Sequence, residues 1–248
     1  MSSIDDLQRR IAGAKRIVAF TGAGISTESG IPDFRSPGGI WTKYKPIEFN
    51  DFLSSPEARR ESWRRKFATD AVMRKATPNA GHRALARLVE TGKMLAVITQ
   101  NIDGLHQASG IPDDKVIELH GNATYASCLE CQRRYELEWV AKIFANDEQL
   151  PICTVCAGMI KTATISFGQS MPEAEMERAR DVTLEADLMI TVGSSLVVYP
   201  AAGFPIMAKR NGAAYVIVNR EPTDQDEIAD LVINAEIGAT LSKAVGVN

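Results

Sequence analysis

The chain has 248 residues, of which 45% are hydrophobic and 24% charged, with a formal net charge of −3. This is the balance of an ordinary soluble globular protein, and it excludes a general pull toward nucleic acid or anionic membrane. The length predicts one large domain with a smaller insertion.

The opening Met1-Ser-Ser-Ile-Asp-Asp is polar and acidic, and only a short apolar run follows Lys15 and Arg16. No secretory signal is expected, and the protein reads as cytoplasmic. Arg16–Phe20 is the first of several short apolar runs rich in β-branched residues; Met94–Thr99, Lys115–Leu119, Asp187–Val192, Ala214–Val218 and Leu231–Ile233 follow. Between them, His82–Glu90, Pro172–Glu185, Ala201–Arg210 and Glu236–Ala244 read as helices. Such alternation predicts an α/β fold with a doubly wound, Rossmann-like parallel sheet. Leu188–Ala208 is uncharged and long enough to raise a membrane helix. Gly193-Ser194-Ser195, Pro200 and Pro205 break it into strand, turn and helix, so no membrane partner is expected.

Two stretches interrupt the rhythm. Residues 36–78 mix prolines, aromatics and a charge-rich run, predicting a loop followed by helices; residues 122–164 hold all four cysteines, with Tyr125 and Tyr135 suited to short strands. The expected division gives 1–35, 79–121 and 165–248 to the sheet domain. Residues 36–78, as a helical and cofactor-loop insertion, and 122–164, as a zinc-binding module, form the small domain.

Chemistry-bearing residues gather at strand ends. Gly22, Ala23, Gly24 and Ser26 follow the first strand, where glycines let backbone N–H groups approach a pyrophosphate; a plain strand-to-helix turn would serve Gly22-x-Gly24 taken alone. In Ile31-Pro-Asp-Phe-Arg-Ser36, Phe34 could shield a reacting carbon and Arg35 offer a fork to phosphate, or the segment is a surface turn. Gln100, Asn101 and Asp103 end the second strand and bring amide and carboxylate groups able to hold a ribose and a carboxamide, or to cap a helix. His120, at the end of the third, is followed by glycine, which leaves room for a ligand beside a general base. His82 and His106 read as structural. Cys128-x2-Cys131 and Cys153-x2-Cys156 have the spacing of two knuckles closing four thiolates around one structural Zn²⁺. Thr191–Ser195 and Ile217–Arg220 suit the far half of a dinucleotide.

Taken together these segments resemble the sirtuin family from about Ile17 to Ala244. The match rests on Gly22-Ala-Gly-Ile-Ser26, Gly30-Ile-Pro-Asp-Phe-Arg35, Thr99-Gln-Asn-Ile-Asp103, Glu118-Leu-His-Gly121, the paired knuckles, Ser166-Phe-Gly168, Val192-Gly-Ser-Ser-Leu196 and Val218-Asn219. The resemblance implies an NAD-dependent protein-lysine deacylase that yields free lysine, nicotinamide and O-acyl-ADP-ribose. It implies NAD contacts at Ala23, Asp33, Arg35, Gln100, Asn101, Gly193, Ser194, Asn219 and Ile237, with Ser195, Arg220 and Trp41 beside them. Asn101, Ile102 and Asp103 would form the nicotinamide pocket, and His120 would deprotonate a ribose hydroxyl. The acylated-lysine peptide would pair as an added strand between Ile165, Phe167, Gly168 and Gln169 on one side and Val197 and Val198 on the other. Gln169 stands where many members have glutamate, Trp41 where tyrosine is common, and Lys161-Thr162 where Arg-Pro is frequent. Desuccinylating members carry a Tyr-x-x-Arg pair where this chain reads Lys66-Phe-Ala-Thr69, so neutral acyl groups, acetyl first, are expected. Protein ADP-ribosylation and a non-catalytic NAD or ADP-ribose sensor are the alternatives on the same fold. A nucleic-acid-binding zinc ribbon would need more basic surface than Arg133-Arg134, and the chain is expected to act as a monomer without sequence-specific nucleic-acid binding.

Overall fold

The computed structural model describes residues 2–33, 39 and 44–247. Among them are nine strands: β1 (Ile17–Thr21), β2 (Met94–Thr99), β3 (Val116–Glu118), β4 (Gly121–Cys128), β5 (Arg134–Glu136), β6 (Ile160–Thr164), β7 (Leu188–Val192), β8 (Ala214–Val218) and β9 (Leu231–Ile233). The α-helices are α1 (Ser3–Gly13), α2 (Phe49–Ser54), α3 (Pro56–Met73), α4 (Ala80–Glu90), α5 (Leu105–Ala108), α6 (Leu137–Phe144), α7 (Glu173–Glu185), α8 (Gly203–Arg210) and α9 (Ile237–Val245).

A six-stranded sheet runs β3-β2-β1-β7-β8-β9, every pairing parallel. Its strands are the apolar runs read from the sequence, each displaced by no more than a residue at either end. A strand covered on both faces must be apolar throughout, and β1 and β7 are buried along their full length. Side chains alternate between two cores: Ile17 and Ala19 meet Leu7, Leu85 and Leu241, whereas Val18 and Phe20 meet Ala179, Phe204 and Ala208. Helices α1, α4 and α9 therefore cover one face, and α7 and α8 the other. Helix α1 is not announced by the polar opening. A capping box nucleates it, Ser2 Oγ accepting from the Asp5 N–H while Asp5 accepts from the Ser2 N–H, and it buries Leu7 and Ile11.

Strands β5-β4-β6 form a separate antiparallel sheet. A third core lies on it, with Trp63 of α3 packed among Ala126, Tyr135, Leu137, Val140 and Ile160. Trp63 stacks on Phe67, which meets Phe144, and ion pairs Arg64–Glu148 and Arg74–Glu138 close the same seam. The two interruptions of the α/β rhythm thus pack on each other. Residues 188–210 form β7, a turn and α8, and among the described residues no helix is long and apolar enough to cross a membrane.

The sheet order reverses between β1 and β7, the switch point where open α/β sheets bind ligands beyond their carboxyl ends. There the turn after β1 meets the turn after β7: the Gly24 N–H donates to the Gly193 carbonyl at 2.8 Å. Gly193 has φ +63°, and a β-carbon on it would lie 2.3 Å from the Ile25 nitrogen. Gly193→Ala is expected to destabilise the protein by at least ~2 kcal/mol, through backbone strain together with the clash. Chemical denaturation checks this; an unchanged midpoint would show the turns to be slack.

Candidate functional site

A cavity of about 530 Å³ opens at the switch point. Gly22, Ala23 and Gly24 come from the turn after β1, Gln100, Asn101 and Ile102 from beyond β2, and His120 from beyond β3. Gly193, Ser194 and Ser195 follow β7, Asn219 and Arg220 follow β8, and Ile237 opens α9. Asp33, Ile165, Phe167, Gly168, Gln169 and Val198 also line it. Ser26, Asp103 and Val197 stand off the lining; Phe34, Arg35 and Trp41 lie outside the described residues.

The glycines after β1 have a packing reason. A β-carbon on Gly22 would be 2.8 Å from the Gly193 carbonyl oxygen, and one on Gly24 2.7 Å from the Gly193 Cα. The two turns must touch backbone to backbone for the cavity to have a floor.

Behind the wall runs a hydrogen-bonded network. Asn101 Nδ2 donates to the Gly22 carbonyl and to Ser26 Oγ, both at 3.1 Å, and Ser26 Oγ donates to Asp103 Oδ2 at 2.7 Å. Asp103 Oδ1 accepts the Leu105 N–H at 2.9 Å and so starts α5. Both carboxylate oxygens are thus engaged, and Asp103 fixes Ser26 and Asn101 from behind. The Asn101 N–H donates to Thr99 Oγ1, which takes a hydrogen bond from Thr21 Oγ1 at 2.8 Å; His106 Nε2 lies 2.9 Å from the same Thr21 oxygen. His82 and His106 pack ring to ring away from the cavity, and burial pushes their pKa values down to about 3 and about 4. Both are neutral structural rings at physiological pH.

His120 differs from them because it lines the cavity. Its Nδ1 lies 3.1 Å from the Gln100 carbonyl oxygen, which only accepts, so Nδ1 carries the proton and Nε2 is left with its lone pair. Burial lowers the pKa below the ordinary imidazole value, with the Gln100 bond opposing it. An unprotonated base with a fixed tautomer results. The next residue, Gly121, has φ +72°, and a β-carbon there would fall 2.0 Å from the Ala163 carbonyl oxygen. The Ile165 N–H donates to the His120 carbonyl at 2.8 Å, so the base and the 165–169 edge are held together.

Lining residues that motif reading passed over include Glu28, Pro46, Ile47, Met171 and Tyr199. Glu28 lies inside the glycine-rich segment, but its partner is distant in sequence: Oε1 accepts the Gly238 N–H of α9 at 2.8 Å. Only tertiary structure brings that pair together. Pro46 and Ile47 arrive from the segment leading into α2, with no motif to mark them.

At the tip of the smaller sheet the sulfurs of Cys128, Cys131, Cys153 and Cys156 all lie within 4.8 Å of one another. Cys128–Cys156 is 3.4 Å and Cys131–Cys153 3.5 Å, near the ~3.8 Å edge of a tetrahedron with 2.3 Å zinc–sulfur bonds. A Tyr135 hydroxyl donating at 3.1 Å brings the Cys153 pKa down to about 5. A Gly158 backbone N–H favours the Cys156 thiolate, yet the crowd of Cys128 and Cys131 sulfurs pushes it up to about 12. Four sulfurs this close can converge on one cation, and as thiolates the donor set fits Zn²⁺ with no position left for water.

The Sir2 family model matches residues 22–200. The chain belongs to the Sir2 family. The NAD-dependent protein deacetylase 1 of Bradyrhizobium diazoefficiens is 62% identical over 99% of this chain and 96% of its own length. The NAD-dependent protein deacetylase of Rhodopseudomonas palustris is 57% identical over 99% and 97%. A solved Sir2 complex with p53 peptide and NAD⁺ superimposes with a TM-score of 0.85 at 38% identity, covering 99% of this chain and 98% of that one. These likenesses span the sheet, the cavity and the cysteine module of the Sir2 fold together.

Chelation of the metal is expected to release one zinc per chain, lower the melting temperature and shift the emission of Trp63 and Trp139, which belong to the adjoining core. Trp emission and melting temperature that are indifferent to a strong chelator would dismiss the structural zinc.

Proposed function

We propose that the protein is an NAD-dependent protein-lysine deacetylase in which His120 is the general base. The observation that carries this reading is the His120 ring, locked in one tautomer with Nε2 free, lining a cavity at a Rossmann switch point. We assign 1–35, 79–121 and 165–248 to the NAD-binding domain, and 36–78 with 122–164 to the small domain. NAD, when bound, supplies a glycosidic bond to nicotinamide and a ribose that accepts the acyl group, so the products are free lysine, nicotinamide and O-acyl-ADP-ribose.

The residues divide the work by chemistry. Gly22, Ala23, Gly24, Gly193, Ser194 and Ser195 offer a close backbone to the pyrophosphate, with Gln100 Nε2 bonded to Ser194 Oγ at 2.8 Å to steady that wall. Asn219, Arg220 and Ile237 take the adenosine end; Asp33, Arg35 and Trp41 are further NAD contacts in this reading, with Arg35 offering its fork to phosphate and Phe34 shielding the reacting carbon. Asn101 has spent its Nδ2 on Gly22 and Ser26, which leaves its Oδ1 to accept from the carboxamide next to Ile102. Asp103 and Ser26 are positioning residues. His120 Nε2 takes a proton from a ribose hydroxyl, for which a neutral ring is required. Ile165, Phe167, Gly168 and Gln169 form one edge for the extended substrate and Val197 and Val198 the other, so main-chain pairing supplies affinity.

His120→Ala is expected to lower nicotinamide release from an acetylated peptide by ~10²-fold or more while NAD binding is largely kept. In the wild type, kcat/KM falls with acidification below the ordinary imidazole pKa of ~6.5 and is level at neutral pH, because burial displaces His120 downward. Equal loss of NAD binding and turnover, or a product mass showing ADP-ribosylated protein, contradicts the assignment.

Neutral acyl groups suit the site. Lys66, in the stretch where a desuccinylating member places its Tyr-x-x-Arg pair, is buried and held 2.5 Å from Asp70. No free cation is offered there to a succinyl carboxylate. Acetyl-lysine peptides are therefore expected to turn over faster than succinyl-lysine ones in a side-by-side assay with NAD.

A further inference from the structure

The edge that takes the substrate carries an ionic side chain that the chemistry above does not use. Glu48 immediately precedes α2, whose first N–H, that of Phe49, donates to the Phe167 carbonyl at 2.8 Å. That bond sets the two segments side by side and brings the Glu48 carboxylate to Gly168. Its Oε2 is 3.5 Å from where a β-carbon on Gly168 would stand, an ordinary contact distance, so the carboxylate lies directly beside that glycine. The carboxylate is not spent elsewhere: Glu48 is exposed, forms no side-chain cap on α2 and enters no ion pair among the described residues.

Pro46, Ile47, Phe167, Met171, Val198 and Tyr199 line this side of the cavity. Gln169 is turned into its own loop, its Oε1 accepting the Ser166 N–H at 3.1 Å, and carries no charge. Glu48 therefore sets a carboxylate beside the edge along which an extended peptide would lie on residues 165–169. On such a strand, alternate side chains project to one face, and a neighbour of the acyl-lysine is carried over Gly168.

We propose that Glu48 is a specificity-determining residue that favours acetyl-lysine peptides bearing an arginine or lysine beside the acetylated position. The proposal rests on the deacetylase reading and on the peptide pairing along residues 165–169. An exposed carboxylate–guanidinium pair is worth about two- to fivefold in an equilibrium and is screened by salt, which sets the size and the signature of the effect.

The experiment uses the intact zinc-loaded protein, NAD, and acetyl-lysine peptides that differ only in placing arginine, glutamine or glutamate at one flanking position at a time. Nicotinamide release gives kcat/KM for each. At one flanking position the wild type is expected to favour arginine over glutamine by about two- to fivefold, and glutamine over glutamate likewise, with both ratios shrinking toward one in high salt. Glu48→Gln should bring the arginine-to-glutamate ratio close to one, and Glu48→Lys should invert it. Ratios unmoved by either substitution, or a wild type without preference at every position, overturn the proposal. Absence of nicotinamide release from every peptide overturns the deacetylase reading itself, and the proposal with it. The comparison is of ratios within each protein, so a variant of lower overall activity still answers the question.

Discussion

Beyond the carboxyl ends of β1 and β7 the sheet's crossovers diverge to opposite faces, and the gap is closed by two glycine turns in direct contact. The Gly24 N–H to Gly193 carbonyl bond, with no β-carbon between the chains, fixes the distance between the two halves of the sheet's rim. The Asn101 amide reaches the Gly22 carbonyl only because that turn is held where it is. The Gln100 side chain reaches Ser194, on the opposite turn, for the same reason. The cavity is therefore a property of the sheet's connectivity, furnished afterward with reactive groups.

Those groups are placed by hydrogen bonds that leave few alternatives. Ser26 donates to Asp103 and accepts from Asn101, so its hydroxyl has one arrangement. His120 faces a carbonyl, so its proton has one location. In a buried setting such bonds are costly to break, and side chains held this way need little reorganisation when a ligand arrives. The buried rings of His82 and His106 serve this rigidity from behind, His106 through the Thr21–Thr99 pair and the Asn101 N–H.

Much of this was legible in the residues, for identifiable reasons. Parallel strands buried on both faces must read as apolar β-branched runs, so Met94–Thr99 and Ala214–Val218 declare themselves to the residue. The two knuckles declare a metal because four cysteines in paired spacing have few other uses. Asp103, by contrast, reads as a cavity residue but lies behind one, since spacing gives proximity in the chain and not the direction of a side chain. Glu28 and Ile47 were not legible, because Glu28 acts through a contact with α9 made far away in the chain and Ile47 reaches the cavity from a segment without a motif. Helix α1 hid in a polar opening whose Ser2 and Asp5 are its cap, and the glycines read for phosphate have the second task of letting two turns touch.

The junction at Gly121 has a mechanical consequence. Strands β4 and β6 carry the chain into and out of the cysteine-bearing sheet, and they are pinched together where Gly121 pairs with Thr164, one residue from His120 and one from Ile165. A tilt of that sheet as a rigid lever would have its fulcrum here, with a short arm at the base and a long one at the metal. Rocking that displaces the distant knuckles by ångströms would displace the His120 imidazole far less.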